Sequence, residues 1–185
     1  MQWYCNRIYR RASAIVYQTN YEKSCFDRRL DEKSYIIPNP VEVVDDYNKN
    51  ENEFEISTAG RLVKQKNHAL LIEAISYVKE QFPQVRCYIY GEGTLRCQLE
   101  QQVTQLGLNK YVFLPGNKTD INNWVAKSSI FVMPSDYEGL SNALIEAMMQ
   151  GKACISTNYP GANELIKNGE NGLIVHCGDS KELAY

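Results

Sequence analysis

The residues best suited to chemistry fall in two short stretches of this chain. One is Gly60-Arg61-Leu62-Val63-Lys64-Gln65-Lys66-Asn67, where Arg61 and Lys66 share a loop that a glycine opens. Arginine offers a planar fork for two phosphate oxygens, and lysine supplies a mobile point charge. A helix starting near Asn67 would add the partial positive charge of its N-terminus, so this stretch can clamp a diphosphate. A solvated loop with basic side chains has the same composition, and the stretch alone does not choose between the two readings.

The other stretch runs from Pro134 to Met149 and holds two carboxylates with seven residues between them, Glu138 ahead of a helix and Glu146 within it. That helix, expected over Ser141 to Gln150, is apolar nearly all round and should be buried. A carboxylate inside it is costly unless something pairs with it. A ligand hydroxyl donating a hydrogen bond to Glu146 is one solution, and a structural hydrogen bond or ion pair is another. Gly139 and Leu140 are expected to present backbone N–H groups at the helix start, ready for an anionic or hydroxyl-rich ligand.

These stretches must be held by something, and the hydropathy pattern supplies it. Short apolar runs at Phe54 to Ala59, Val85 to Tyr90, Val112 to Leu114, Ile130 to Met133, Ala153 to Ser156 and Gly172 to Val175 read as strands. Between them lie helical stretches at Asn67 to Phe82, Leu95 to Leu106, Ile121 to Ala126, Ser141 to Gln150 and Ala162 to Ile166, with Gly107 and Gly151 as C-terminal stops. Brief, continuously apolar strands alternating with helices predict an α/β fold, a doubly wound parallel sheet covered on both faces. In such sheets ligands bind outside the carboxyl ends of the strands, so the loops to inspect begin at Gly60, Gly91, Pro115, Pro134 and Thr157.

The first 40 residues read differently. A strand at Ala14 to Tyr17, a polar helix from Tyr21 to about Leu30 and a short run at Tyr35 to Ile37 end at Pro38-Asn39-Pro40. An acidic, Asn-rich stretch from Glu42 to Glu53 follows, as in a linker. This places a boundary near residue 40, with a small N-terminal portion at 1–40 and a larger unit at 41–185. Tyr4, Tyr9, Tyr17, Tyr21, Tyr35 and Tyr47 suggest a partly buried surface in the N-terminal portion.

Composition narrows the partners. A formal net charge of −2 on 185 residues gives no basic face for nucleic acid. Arg7, Arg10 and Arg11 could touch anionic lipid at a membrane surface, although a solvated helix face is the stronger reading. No run is long enough to span a bilayer, and the N-terminus lacks the apolar core of a signal peptide. The six cysteines are scattered without a Cys-x-x-Cys pair, and with only His68 and His176 a zinc site is not expected. A reduced, cytoplasmic setting is the expectation, with Cys87 and Cys154 serving as small apolar residues in strands.

Taken in order, Gly60-Arg61-Leu62…Lys66-Asn67, Tyr90-Gly91-Glu92-Gly93, Phe113-Leu114-Pro115-Gly116, the Glu138…Glu146 pair, Pro160-Gly161-Ala162-Asn163-Glu164 and Asn171-Gly172-Leu173 resemble glycosyltransferase family 4 (group 1). The likeness runs from about Ala12 to Leu183. Gly91-Glu92-Gly93 alone would be weak, since Arg96 stands where a dinucleotide fingerprint wants its third glycine. The resemblance implies the C-terminal, nucleotide-sugar-binding Rossmann-like half of a retaining GT-B enzyme, cut short at its end. Residues 1–40 would be the remnant of an acceptor domain. It also implies roles: Arg61 and Lys66 on the diphosphate, Glu138 on the sugar hydroxyls, Glu146 on the ribose, and Gly60, Gly91, Gly139 and Leu140 around the donor. Arg61, Lys66 and Glu138 would be the catalytic set.

The resemblance further implies a UDP- or GDP-linked sugar as donor and no metal or other cofactor. A glycan or lipid-linked acceptor of surface polysaccharide or lipopolysaccharide synthesis would be held through the missing domain, in the cytoplasm, with peripheral contact at the inner membrane face as a further option. By itself, such a fragment would transfer no sugar. A non-catalytic nucleotide-sugar-binding module, either a degraded copy or half of a split enzyme, is the alternative. An epimerase or phosphorylase of similar architecture is more remote. Asn39-Pro40 departs from the Asn-Gly of many relatives.

Overall fold

The alternation of apolar runs and helices produces one parallel six-stranded sheet. The computed structural model describes residues 8–41 and 52–185. The expected linker therefore falls almost entirely outside the described residues, as do Tyr4, Arg7 and Tyr47. The sheet comprises β3 (Asn52–Ala59), β4 (Arg86–Tyr90), β5 (Val112–Gly116), β6 (Ser128–Met133), β7 (Ala153–Thr157) and β8 (Leu173–Val175), in the order β5-β4-β3-β6-β7-β8. All its pairings are parallel.

The helices cover both faces. On one side α2 (His68–Gln81) and α3 (Arg96–Gln105) bury Leu70, Leu71, Ile75, Leu99 and Val103 against Ile56, Cys87 and Ile89. On the other, α4 (Ile121–Val125), α5 (Asn142–Met149) and α6 (Pro160–Leu165) pack Val125, Leu144, Ala147 and Ala162 on Phe131, Met133 and Cys154. A last helix, α7 (Ser180–Ala184), returns to α2. Gly107 and Gly151 adopt positive φ, as the helix stops require. Burial pushes the Cys87 and Cys154 thiols up to about 12, so both are inert core residues.

The N-terminal portion is a two-stranded parallel sheet, β1 (Ile15–Tyr17) with β2 (Ser34–Ile36), bridged by α1 (Asn20–Ser24). Here the structure differs from expectation. The helix expected to reach Leu30 stops at Ser24, and a 3₁₀ helix at Arg28–Lys33 follows. Asp27 causes the break: its carboxylate accepts from the Arg29 N–H at 3.0 Å, an alternative to the helical ladder. Tyr17 is buried but Tyr21 and Tyr35 are exposed, so the tyrosines do not form one half-buried surface. This portion docks on the larger unit. Glu164 accepts from the N–H groups of Asn20 and Tyr21 at 2.9 and 2.7 Å, and Asn39 donates to Asn142 at 3.0 Å.

Candidate functional site

Chain order runs outward from β3 through β4 to β5, then returns so that β6 lies on β3's other side. Beyond the carboxyl ends of β3 and β6 the loops diverge and leave a crevice, the preferred ligand position in such a sheet. The two chemistry-bearing stretches are the loops after β3 and β6, so the topology brings them together.

Their backbones and side chains are bound to each other. Asp136 N–H donates to the Gln65 carbonyl at 2.9 Å, Gln65 Nε2 to the Tyr137 carbonyl at 2.9 Å, and Asn67 Nδ2 to Asp136 Oδ1 at 2.6 Å. Within this frame Lys66 and Glu138 form an ion pair, their side chains only 14% and 12% exposed. Ser135, fully buried, donates to the same Glu138 oxygen at 3.0 Å. The Lys66 stem lies over Gly60, where a Cβ would come 3.2 Å from Lys66 Cε.

Arg61 and Glu146 line the adjoining cleft, together with Gly60, Tyr90, Gly91 and Lys118. Arg61 is exposed and has no ion pair among the described residues. Glu146 is half-buried and its carboxylate has no hydrogen-bond or ionic partner among the described residues. Burial raises its pKa. The expectation of a buried α5 needs correction: Leu144 and Ala147 are buried, while Asn142 and Met149 are exposed and Glu146 faces the cleft. The helix lies over the sheet with one face only, so its apolar outer residues do not imply burial.

Gly139 and Leu140 lie just ahead of the start of α5. The helix begins at Asn142, with Ser141 as its N-cap accepting from Leu144, so both residues precede the cap. A Cβ at Gly139 would meet the mobile end of Glu22, at 2.8 Å, whereas a Cβ at Gly161 would fall 1.7 Å from the Gly139 carbonyl oxygen, so it is Gly161 that lets this loop pass. Gly91 has φ of +137°, and a Cβ would lie 2.0 Å from the Gly60 carbonyl oxygen, so the β3 and β4 loops meet backbone to backbone. Arg96 braces that wall instead of completing a phosphate cradle. It forks onto Glu92 at 2.6 and 2.8 Å, reaches Glu100 at 2.7 Å and donates to the Leu114 carbonyl.

Two further features stand out, one behind the cleft and one in it. His68, the first residue of α2, is 2% exposed, and neither ring nitrogen meets a hydrogen-bond partner among the described residues. Burial foremost, with the Lys66 ammonium acting in the same sense, holds it down to about 4 against the backbone of Arg61 and Gly60 beside it. Lys118 follows β5 in a loop that was marked for inspection, although the residue itself was not. Its ammonium sits 4.6 Å from the Trp124 ring centre. A separate apolar hollow between α2, α7 and the sheet is lined by Leu71, Ile75, Val78, Phe82 and Leu183. Among the described residues Glu53 is the only ionisable group in its wall, and none there would hold a phosphate.

The model for glycosyl transferases group 1 matches residues 42–185. The chain belongs to the group 1 glycosyltransferases. It is 33% identical over 129 residues to the lipopolysaccharide core biosynthesis glycosyltransferase LpsE of Rhizobium meliloti, covering 70% of this chain and 37% of LpsE. It is 36% identical over 131 residues to the UDP-Gal:α-D-GlcNAc-diphosphoundecaprenol α-1,3-galactosyltransferase of Escherichia coli, covering 69% of this chain and 34% of that one. The match thus spans about a third of these curated relatives. A crystal structure of an S. aureus TarM variant with fondaparinux, α-GlcNAc-glycerol and UDP superposes with a TM-score of 0.91 at 23% identity, covering 98% of this chain and 37% of that one. HepE of Anabaena with UDP and glucose gives 0.83 at 24%, covering 99% and 54%. These neighbours establish for the glycosyltransferase chain the GT-B type of α/β fold. No described helix is long and apolar enough to cross a membrane.

Proposed function

We propose that this glycosyltransferase chain binds a nucleoside-diphosphate sugar, UDP- or GDP-linked, for retaining transfer to a glycan or lipid-linked acceptor in surface polysaccharide synthesis. The reading is supported by the Lys66–Glu138 ion pair, whose lysine stem lies over Gly60, and by the adjoining cleft that Gly60, Arg61 and Glu146 line at the switch point of the sheet. In glycosyl transfer, charge develops on the departing diphosphate, and fixed cations in a sheltered crevice stabilise it. Arg61 and Lys66 are the groups for that role. Glu138 accepts from sugar hydroxyls, and Glu146, a carboxylate without a partner among the described residues, accepts from the ribose diol. Gly60, Gly91, Gly139 and Leu140 let the donor approach the backbone. The side chains provide the positive charge, so no metal enters.

Support for the acceptor class comes from the relatives, whose names place them in lipopolysaccharide core synthesis and on a diphosphoundecaprenol-linked sugar. Acceptor binding and transfer are proposed for the whole enzyme, and donor binding for this chain. Calorimetric titration with UDP, GDP and their sugars tests the reading. Binding of at least one, weakened tenfold or more by Arg61→Ala and by Lys66→Ala, is expected at about 1.4 kcal/mol per lost charged contact. Undiminished affinity in both variants would refute the clamp.

A further inference from the structure

His68 opens α2, at the far end of the loop that begins with Gly60 and Arg61. Its ring is 2% exposed, and neither Nδ1 nor Nε2 meets a hydrogen-bond partner among the described residues. Burial holds its pKa down to about 4, so at pH 7 the ring is neutral and carries one N–H and one acceptor nitrogen. A buried donor without a partner destabilises a fold, and an apolar ring of this size would be the more stable choice here. The imidazole therefore calls for an explanation outside packing.

Its neighbours supply one. The backbone of Gly60 and Arg61 lies beside the ring and favours its protonated form, as main-chain carbonyl oxygens do when they face a ring N–H. They stop short of a hydrogen bond. The same backbone is fastened to β4 and the loop after it. Gly60 N–H donates to the Tyr90 carbonyl and Leu62 N–H to the Glu92 carbonyl, both at 2.9 Å, and Leu62 is fully buried. The Arg61 carbonyl accepts from Val63 N–H at 2.9 Å, which leaves it a second lone pair. Arg61 thus projects an exposed side chain from a backbone held on its β4 side, with the His68 ring as the unused polar group beside it. A guanidinium that must meet two phosphate oxygens at once is sensitive to where that backbone sits.

We infer that His68 is a positioning residue for Arg61: as a diphosphate draws the guanidinium into the cleft, the Gly60–Arg61 backbone closes onto the ring N–H, and the hydrogen bond formed there fixes the aim of the fork. The imidazole gains its partner in the donor complex, so the interaction favours the bound state over the free one. The inference rests on the donor-binding reading and adds to it a group behind the clamp.

A double-mutant cycle tests it, with wild type, His68→Phe, Arg61→Ala and the double variant titrated against whichever of UDP and GDP wild type binds more tightly. His68→Phe keeps a buried ring and removes both nitrogens, and should weaken binding about fivefold, the effect of one lost neutral hydrogen bond. In the Arg61→Ala background the same change should cost less than about twofold, because the fork that His68 aims is gone. Equal losses in the two backgrounds would make His68 a packing residue and overturn the inference while the clamp stands. So would full affinity in His68→Phe. Independently of any variant at this position, the His68 ring ¹⁵N shifts should move when wild type is saturated with nucleotide and stay still in Arg61→Ala. Ring shifts that do not move in wild type would also overturn it. If wild type bound neither nucleotide, the donor reading itself would fall.

Discussion

Lys66, on the loop after β3, and Glu138, on the loop after β6, share an ion pair that is largely withdrawn from water. The contact spans the switch point of the sheet and joins a group suited to a diphosphate with one suited to a sugar. It also means that the cleft's charges are coupled before any ligand arrives. In the proposed donor complex Glu138 would share Lys66 with the phosphates, and Arg61, exposed and without an ion pair among the described residues, would be the cation open to them.

The coupling should be measurable as stability. Lys66→Met leaves the Glu138 carboxylate nearly buried with only Ser135 to satisfy it, which should cost about 3 kcal/mol. Adding Glu138→Gln removes the stranded charge and should recover most of that loss. Urea unfolding of the two variants checks this, and equal losses in both would mean that the pair holds no mutual energy.

Glu146 should behave in the opposite way. Burial raises its pKa, so its ionised form opposes folding once pH exceeds that value, and the associated stability is present at low pH and lost as pH rises. Glu146→Gln should therefore melt no lower than wild type at pH 7 while nucleotide affinity falls. If melting collapsed while affinity held, the carboxylate would be a structural group.

His68 gives the chain an acid-side liability. Its folded pKa of about 4 lies below the usual 6.5, so the stability linked to its neutral ring is complete above pH 6.5 and is lost as pH falls toward 4. The full span corresponds to about 3 kcal/mol. Unfolding measured at steps between pH 7 and pH 4 should show that slope, and His68→Phe should flatten it. An unchanged slope would assign it to other groups.

Nucleotide binding should be unaffected by EDTA or added magnesium if, as proposed, Arg61 and Lys66 supply the positive charge. It should weaken with salt, since Arg61 is open to solvent. Affinity that disappears with EDTA would contradict the proposed absence of a metal.

Much of this architecture was legible in the sequence, for a physical reason. Strands buried on both faces leave unbroken apolar runs such as Ile130 to Met133, and helix ends that need positive φ leave glycines at 107 and 151. The loops bearing Arg61, Lys66 and Glu138, and the helix bearing Glu146, followed from the same pattern. Local pattern says nothing of strand order, however, and it is the adjacency of β3 and β6 that pairs Lys66 with Glu138. Lys118 escaped notice because its place depends on Trp124 from a different element. The end of α1 was misplaced because Asp27 competes for the backbone, a choice that helical periodicity does not register. α5 is less buried than its apolar composition suggests because only Leu144 and Ala147 are fully covered, while Met149 is exposed.

An amide-resolved NMR titration of the chain with UDP tests most directly whether both loops form one donor site. Shifts are expected together at Gly60 to Lys66, at Glu138 to Leu140 and at Glu146, with Lys118 moving at the far end. Shifts confined to the apolar hollow beside Leu71 and Phe82, or to one loop while the other stays still, would contradict a shared crevice.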